Sequence, residues 1–477
     1  RNLPEWPAAF FGTLLVGGII TPLNAWWTGP ELEYGLNDCG AKVAVVDRGG
    51  FERISQRLHN LPALERVFVC RHDADVTHPK VTKLATILGE VNDWHRLPDR
   101  PLPDVFMAAD DDATIFYTSG TTGRPRGAVG THRNSLSNVV AKGFSQALAC
   151  VRRGEDVPVP VADAPQKAIL LVVPLFHVTG CQATMCPSMA GGAKLVFMHK
   201  WDPEHAMEII ERERITSTGG VPAIAWQLLE HRAFEEHDLS SLESVAYGGA
   251  PAAPELVRKL TAKLPRSQPG TGWGMTETCA TFTSLVGEDY CLRPQSCGAP
   301  LPVGDMKIVD AGGRELPAGS VGELWVKGPN VVKGYWQDPQ ANKESFEDGW
   351  LKTGDIARLD EEGFCYIVDR AKDMLIRGGE NIYCIEVENA LYEHPGVIDA
   401  AVLAIPHHSL GEQPGAVVTV KPGTAVGENE LRDFVAERLA AFKVPVRIVF
   451  CESMLPRNAN GKILKGELKG MLVERAG

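Results

Sequence analysis

Apolar runs of strand length alternate with amphipathic stretches over the first part of the chain. Residues 31–40 have the spacing of a helix, and the apolar runs 43–46 and 168–173 have the length of buried strands. Between Asp202 and Arg214 the pattern predicts another helix, with Asp202 as its N-cap and a proline in its first turn. Strands that alternate with helices indicate a mostly parallel sheet covered by helices. This part is therefore expected to be α/β.

Short strands punctuated by glycine and proline follow from Leu301 onward. Residues 322–326 form one such strand, and residues 354–370 have the pattern of a hairpin. The change of pattern predicts a small antiparallel sheet or a β-barrel-like subdomain.

A third pattern begins close to Lys372. It predicts a helix over 385–392, strands near Val402 and Val417, and an amphipathic helix over 428–439. These elements indicate a small α+β unit, so we predict one domain over residues 1–371 and a second over residues 372–477.

Composition and charge narrow the classes of function. The chain has 477 residues, of which 44% are hydrophobic and 23% charged, which is ordinary for a globular protein of two or more domains. A formal net charge of -12 without a long basic run argues against nucleic acid as a partner. The eleven cysteines show neither a CxxC pair nor zinc-site spacing, which favours reduced thiols, a cytoplasmic location and no structural zinc.

The apolar run over residues 8–20 is shorter than the ~20 residues that a membrane span needs. It predicts a buried helix and no transmembrane segment. Glu5 and the absence of an initiator methionine argue against a signal peptide, so we expect the sequence to begin inside a domain.

Residues 117–128 combine three glycines with several hydroxyl side chains and two arginines, Arg124 and Arg126. Glycines let backbone N–H groups converge, and hydroxyl and guanidinium groups add donors and charge, so the segment suits phosphate. A Walker A loop is excluded because no Gly-Lys-Ser/Thr follows at the required spacing. A flexible surface loop is the alternative, since turns use the same residue types.

Further motifs occur downstream of this loop in a fixed order. They are Gly248-Gly249-Ala250-Pro251, Gly272-Trp273-Gly274-Met275-Thr276-Glu277, Thr353-Gly354-Asp355, the stretch 369–382, and the PRNANGK stretch 456–462. Together they span nearly the whole chain. In this combination the sequence resembles the adenylate-forming superfamily of acyl-CoA synthetases, firefly luciferase and nonribosomal peptide adenylation domains, and most of all an acyl-CoA synthetase.

The resemblance implies a two-step reaction. A carboxylate and ATP give an acyl-adenylate and pyrophosphate, and a thiol then displaces AMP, so ATP, Mg²⁺ and CoA are the expected cofactors and co-substrates. The implied fold has a large AMP-binding domain of stacked, mixed and parallel α/β sheets with a barrel-like subdomain. A small, mobile α+β domain follows, with its hinge near Lys372.

The resemblance also assigns roles to residues of the large domain. Glu277 would bind Mg²⁺, and Asp355 would accept hydrogen bonds from the ribose with Arg370 as its partner; a helix-start carboxylate and a turn residue are the respective alternatives. The expected phosphate-binding residues are Thr118, Ser119, Gly120, Thr121, Thr122, Gly123, Arg126 and Thr276. The expected adenine-binding residues are Gly248, Gly249, Ala250, Pro251, Trp273, Gly274 and Met275.

Two segments of the small domain would alternate in the cleft. Lys462 would reach the acyl and phosphate oxygens during adenylation, although a solvated basic tail is the alternative for this lysine. Rotation about the hinge would replace it by Gly378, Gly379, Glu380 and Asn381, whose small residues would admit the thiol; a tight turn is the alternative for the two glycines.

One position departs from the pattern of the superfamily, which usually has lysine where this chain has Arg126. The positive charge is kept, but a planar fork replaces a point charge. We expect a changed grip on pyrophosphate rather than an inactive site.

The acid substrate is expected to be apolar. His177 occupies the position where members that activate amino acids carry an aspartate, so an ammonium group would find no partner. By similarity, the pocket would be lined by Val178, Gly220, Val221, Ala250 and Phe282. His177 is either a gate between the two steps or a core histidine.

Three hypotheses follow. The first is a CoA ligase for a fatty acid of medium or long chain, with an aryl acid as the alternative. The second delivers the acyl group to a carrier protein or to oxygen chemistry, and the third is a noncatalytic nucleotide- or acyl-binding homologue. The oligomeric state is left open.

Overall fold

The computed structural model describes residues 1–73, 76–118, 124–157, 159, 161, 164–250, 252–458 and 461–473. The strands in chain order are β1 (Val43–Asp47), β2 (Arg66–Cys70), β3 (Val81–Lys83), β4 (Asp112–Tyr117), β5 (Gly127–Thr131), β6 (Ala168–Leu171), β7 (Lys194–Phe197), β8 (Ser217–Gly220), β9 (Ser244–Gly248), β10 (Gln268–Gly272), β11 (Thr283–Val286), β12 (Ala299–Pro300), β13 (Asp305–Val309), β14 (Gly322–Lys327), β15 (Gly334–Tyr335), β16 (Phe346–Glu347), β17 (Trp350–Leu359), β18 (Cys365–Arg370), β19 (Leu375–Arg377), β20 (Glu380–Ile382), β21 (Val397–His407), β22 (Gly411–Val420) and β23 (Arg447–Cys451). The α-helices are α1 (Glu5–Leu15), α2 (Gly29–Asp38), α3 (Arg48–Ile54), α4 (Ala85–Leu88), α5 (His132–Arg152), α6 (Cys186–Ala190), α7 (Pro203–Glu213), α8 (Pro222–Leu229), α9 (Pro254–Lys263), α10 (Glu288–Leu292), α11 (Pro339–Ser345), α12 (Cys384–Tyr392), α13 (Glu428–Ala436) and α14 (Lys465–Val473).

The largest sheet has seven strands in the order β12-β11-β10-β9-β8-β6-β7. Its strands from β7 to β10 are parallel, whereas β11 and β12 join antiparallel at one edge. The core beside it includes Leu170, Ile210, Leu256 and Leu260, each at most 1% exposed. The expected parallel α/β arrangement is therefore confirmed for this part of the chain.

Two three-stranded sheets are formed mainly by segments that precede the large sheet in the chain. The first has the parallel order β1-β2-β3, and the second has the antiparallel order β15-β5-β4. The second sheet joins the strands on both sides of the 118–126 loop to a segment more than two hundred positions downstream, since Tyr335 lies opposite Ala128.

A five-stranded antiparallel sheet follows, built on the long strand β17. The order is β13-β14-β17-β16, and β18 also pairs with β17. Its core contains Leu324, Val326, Leu351 and Ala357, all fully buried. This sheet is the predicted small subdomain, and the hairpin expected over residues 354–370 is formed by β17 and β18.

The last sheet has the order β20-β19-β22-β21, with β23 parallel to β22. Helices α12 and α13 cover it, and Val387, Leu431 and Val435 are fully buried in its core. The chain passes into this sheet between the end of β18 at Arg370 and the start of β19 at Leu375. The boundary at 371/372 stays a prediction that this crossing supports.

Several local predictions are confirmed and one is wrong in extent. Asp202 caps α7, because its side chain accepts a hydrogen bond from the backbone N–H of His205. The predicted helix over residues 8–20 instead runs from Glu5 to Leu15 and buries Phe10, while Val16 is 56% exposed. The chain leaves the helix at Gly17, whose φ of +72° is left-handed. Among the described residues, none of the helices has both the length and the apolar character that a membrane crossing demands.

Candidate active site

The carboxyl ends of β9 and β10 open onto a cleft between the large and the small domain. Gly249 and Ala250 follow β9, Trp273 and Gly274 follow β10, and all four line the cleft. Lys462 lines it from the side of the small domain. Ligands of α/β sheets bind beyond the carboxyl ends of parallel strands, which makes this cleft the candidate active site.

Asp355 is a fixed and buried carboxylate at this cleft. It lies on β17 opposite Arg370 on β18, and Arg370 Nε is 2.7 Å from Asp355 Oδ1. Trp273 Nε1 donates a hydrogen bond to Asp355 Oδ2 at 2.8 Å. Asp355 is only 2% exposed, so burial raises the pKa of its carboxyl group while the positive charge of Arg370 opposes that shift. Since Asp355 belongs to a strand, the alternative that it is a turn residue is wrong.

Trp273 makes contacts in the structure that its predicted adenine-binding role does not include. Its indole N–H is committed to Asp355, and its ring meets Phe282 edge-on with ring centroids 6.1 Å apart. Trp273 therefore also orients the carboxylate, while its packing on adenine stays a prediction.

Lys462 is drawn into the cleft by contact between the domains. An added Cβ at Gly461 would lie 2.4 Å from Val221 Cγ2, so the loop that carries Lys462 rests directly on the start of α8. Burial lowers the pKa of Lys462 to about 8, and the nearby charge of Arg370 acts in the same direction. The alternative of a solvated basic tail is wrong for this lysine.

Glu277 is buried near Arg370 and Asp355. It lies in a short 3₁₀ turn, Thr276–Thr278, and is 6% exposed. Tyr335 Oη donates to Glu277 Oε1 at 2.6 Å, and the backbone N–H of Val332 donates to the carbonyl of Glu277 at 2.9 Å. Burial raises the pKa of the Glu277 carboxyl group, while the hydrogen bond from Tyr335 and the positive charge of Arg370 act in the opposite direction.

Arg126 lies between two side chains of the 335–338 segment. Its Nε is 3.4 Å from Asp338 Oδ2, and its guanidinium carbon is 5.6 Å from the centre of the Tyr335 ring. The backbone N–H of Thr118 donates to the carbonyl of Arg126 at 2.8 Å, which closes the base of the predicted phosphate loop. Tyr335 therefore contacts both Arg126 and Glu277.

His177 is shielded from water and neutral. Its ring lies 4.5 Å from that of Phe176, and its Nε2 is buried without a hydrogen-bond partner in the described part of the chain. Burial lowers the pKa of His177 to about 3.

Phe282, expected to line the acid pocket with Val178, is instead 1% exposed in the core of the five-stranded sheet, so that prediction is wrong.

The segment predicted to admit the thiol forms the turn between β19 and β20. Gly378 and Gly379 have left-handed φ values of +60° and +92°, while Glu380 and Asn381 are exposed on β20. The two glycines thus serve a tight turn, which leaves room for their predicted second role.

The predicted phosphate-binding residues Ser119, Gly120, Thr121, Thr122 and Gly123, and Pro251 of the adenine-binding motif, lie outside the described residues.

Sequence reasoning missed Tyr335 and Asp338. Tyr335 is 58 residues from Glu277 in the chain, and no spacing rule relates the two positions. The only available signal was that Arg126 could take an aspartate as its partner, and many aspartates of the chain could have filled that place.

Comparison with known proteins agrees with this geometry. A family model described as AMP-binding enzyme matches residues 1–336, and one described as AMP-binding enzyme C-terminal domain matches residues 386–462. The chain belongs to the AMP-binding enzyme family. It is an acid–thiol ligase of the AMP-forming acyl-CoA synthetase type, with ATP and CoA as substrates.

Individual relatives of this ligase cover nearly all of it. The chain is 34% identical to a feruloyl-CoA synthase of an Amycolatopsis species, over 98% of this chain and 87% of that protein. It is 32% identical to a long-chain-fatty-acid–CoA ligase of Escherichia coli, over 98% and 83% of the two chains. A solved anthranilate CoA ligase in complex with anthranoyl-AMP has a TM-score of 0.83 and 27% identity, with 98% of this chain and 86% of that chain covered.

Proposed function

We propose that this ligase activates an apolar carboxylic acid, in first place a fatty acid of medium or long chain, and transfers the acyl group from its adenylate to free CoA. The observation that carries the adenylation step is the meeting of Lys462 with Asp355 and Arg370 in one cleft. A cation from the small domain is thereby aimed at the place where the large domain offers its ribose-binding carboxylate.

Each group in the cleft has a chemical task in this proposal. Asp355, held by Arg370 and Trp273, accepts hydrogen bonds from the ribose hydroxyls. Gly249 and Ala250, which line the cleft, would pack against the adenine. Lys462 stabilises negative charge on the acyl and phosphate oxygens, which is the main task in phosphoryl chemistry.

Glu277 is the residue that would hold Mg²⁺. No group of three or more acidic, cysteine or histidine side chains forms a metal site within the described residues, so the protein alone does not supply a cage. Mg²⁺ is commonly bound by one or two carboxylates together with substrate phosphates, and a buried carboxylate that accepts a hydrogen bond from a neutral hydroxyl fits that role. The ion would neutralise phosphate charge.

The environment of His177 supports an apolar acid. A histidine whose pKa is lowered to about 3 is neutral at physiological pH, so it offers no cation to a second carboxylate. It offers no anion to an ammonium group either.

An aryl acid is the second candidate. The relatives include feruloyl-CoA synthase and 4-coumarate-CoA ligase as well as the fatty-acid ligases. The rings of Phe176 and His177 are tilted by 55° to each other, and Trp26 meets Phe176 edge-on at 6.2 Å, which gives an aromatic cluster that suits a ring substrate.

A panel of fatty and aryl acids, each with ATP, Mg²⁺ and CoA, tests the proposal by release of AMP and formation of thioester. The highest kcat/KM is expected for a fatty acid, and the Lys462→Ala variant serves as the control that lacks adenylation. A clear preference for hydroxycinnamic or anthranilic acids would select the aryl candidate. Preference for an amino acid, or transfer only to a carrier-protein thiol, would contradict the proposal.

A further inference from the structure

Lys462 lies near the end of a short hairpin that is closed by pairing of the residues on either side of it. Arg457 and Ile463 form an isolated antiparallel bridge at its base. The backbone N–H of Asn458 donates to the carbonyl of Lys462 at 2.9 Å, and the backbone N–H of Lys462 donates to Asn458 Oδ1 at 3.0 Å. A hairpin of this size needs an external anchor to hold a side chain in one place.

Arg457 supplies an anchor within the hairpin. Its Nη1 donates to the carbonyl of Gly461 at 2.8 Å, and its Nη2 donates to Asp399 Oδ1 at 2.6 Å. One rigid guanidinium thus ties the residue just before Lys462 to a side chain on β21. The divergent N–H groups of arginine allow both bonds at once, which a single ammonium group does not match.

Asp399 is itself immobilised in the small domain. It is 0% exposed and accepts two more hydrogen bonds, from Tyr392 Oη at 2.8 Å and from the backbone N–H of Leu455 at 3.1 Å. Leu455 precedes the hairpin and Gly461 lies near its end, so the Asp399 and Arg457 pair holds the chain on both sides of the hairpin.

The same network reaches the large domain. The ring of Tyr392 stacks on that of Trp226 in α8, with centroids 6.3 Å apart and an angle of 13° between the planes. Val221, at the start of the same helix, is the residue against which Gly461 rests. The anchor of the Lys462 hairpin and the surface on which the hairpin docks therefore meet the same element.

We propose that Arg457 and Asp399 are positioning residues that hold the Lys462 hairpin for the adenylate-forming half-reaction. Both residues belong to the wall of the cleft, but in this assignment each acts through the backbone on either side of Lys462 and not on the substrates. A buried ion pair contributes little to stability by itself, so stability does not explain why this pair joins the hairpin to the sheet. Placement of a reacting group does explain it. The proposal rests on the proposed role of Lys462 in adenylation.

The test compares two half-reactions in Arg457→Met, Arg457→Lys and Asp399→Asn. Adenylation is measured as acid-dependent exchange of labelled pyrophosphate into ATP, and the second half-reaction as thioester formation from supplied acyl-AMP and CoA. We expect exchange to fall about 100-fold, the scale of a 1 Å misplacement of a reacting group, with thioester formation unchanged. Arg457→Lys should restore little, because it keeps the charge but loses the two simultaneous hydrogen bonds to Gly461 and Asp399.

Arg447→Met is the matched control. Arg447 lies on β23 of the same domain and likewise donates to a backbone carbonyl, that of Leu472 at 3.0 Å, but it does not join the hairpin. Both half-reactions should remain at the parental level in this variant.

The pH profile of exchange separates positioning from general damage. The charged groups that act on Lys462 are Arg370, Lys372, Asp373 and Asp355, and burial lowers the pKa of Lys462 to about 8. Exchange in the parent should fall as the pH rises through about 8, because Lys462 loses its proton. In Arg457→Met the released lysine gains water, so this fall should move to higher pH.

Equal loss in both half-reactions, or full exchange activity in both Arg457→Met and Asp399→Asn, would overturn the proposal. If Arg457→Met does not fold by circular dichroism, Arg457→Lys and Asp399→Asn decide the question. The Lys462→Ala variant tests the role of Lys462 separately from that of Arg457. If this variant loses both half-reactions equally, the assigned role of Lys462 fails, whatever Arg457 does.

Discussion

At the scale of single residues, Arg126 shows how a substitution is accommodated. The guanidinium that stands in place of the usual lysine is paired with Asp338 and lies over the ring of Tyr335. Tyr335 also bonds Glu277, the proposed Mg²⁺ ligand. The orientation of Arg126 is thus set by the same side chain that orients the carboxylate, and a planar cation makes use of the ring.

Replacing Arg126 by lysine should leave an active enzyme with weaker ATP binding. The ion pair is half-exposed and contributes about 0.2–1 kcal/mol, and the contact with the ring a further ~0.5–1 kcal/mol, so KM for ATP should rise about 3- to 30-fold. Steady-state kinetics with varied ATP measures this. Arg124→Lys, on the same loop and over the ring of Tyr34 at 5.3 Å, is the control and should change KM less. An inactive Arg126→Lys protein would refute the equivalence of Arg126 with the usual lysine.

At the scale of elements, the Lys462 hairpin rests on the start of α8. Gly461 has a φ of +72° and approaches Val221 so closely that a Cβ would overlap all three side-chain carbons. A glycine is needed here both for the left-handed backbone and for the close approach. The hairpin that carries Lys462, the proposed catalytic lysine, is therefore shaped to fit the start of one helix.

Gly461→Ala should slow adenylation while sparing thioester formation. Overpacking costs about 1–3 kcal/mol, which corresponds to a loss of about 5- to 150-fold in pyrophosphate exchange. Adding Val221→Ala removes the methyl groups that the new Cβ meets, so the double variant should recover part of the activity, and the strained backbone should prevent full recovery.

Exchange in all four members of this cycle gives the coupling between Gly461 and Val221. Strictly additive effects would show that the hairpin does not dock on Val221 when the enzyme adenylates its substrate.

At the scale of the whole molecule, the structure has the small domain seated with Lys462 in the cleft. Among the described residues, the contacts that join the domains in this arrangement include Gly461 on Val221, Tyr392 on Trp226, and Lys421 Nζ at 3.6 Å from Glu230 Oε2. The turn of β19 and β20, with Gly378 and Gly379, is not among the residues that line the cleft. Bringing that turn to the cleft requires a rotation of the small domain, which the resemblance to the superfamily predicts about Lys372.

Lys372→Pro should separate the two steps. Proline fixes φ near −65°, and a hinge residue must change its backbone angles for the domain to rotate. We expect pyrophosphate exchange within a few-fold of the parent and thioester formation reduced about 100-fold or more, with Lys372→Ala as the control for loss of the side chain. Unimpaired thioester formation in Lys372→Pro would place the hinge elsewhere.

Much of the site could be predicted from the sequence because the relevant residues lie in short local motifs. Trp273, Glu277, Asp355 and Lys462 were identified from their immediate neighbours, and the structure brings three of them to one cleft. The extent of α1 and the position of Phe282 were mistaken. An apolar residue is compatible with a pocket or with a core, and local pattern does not distinguish the two.

The sequence by itself determined the change from α/β to antiparallel and then to α+β elements along the chain, the family and the groups that carry charge, because these depend on local spacing and on motifs. The tertiary structure alone decided which distant groups meet: Tyr335 with Glu277, Asp338 with Arg126, and Asp399 with Arg457. Such contacts arise when strands far apart in the chain pair, as β15 does with β5, and no local pattern records that pairing. The predicted phosphate loop is therefore visible in the sequence, while the side chains that hold its arginine and the proposed metal-binding carboxylate in place appear only once the chain has folded.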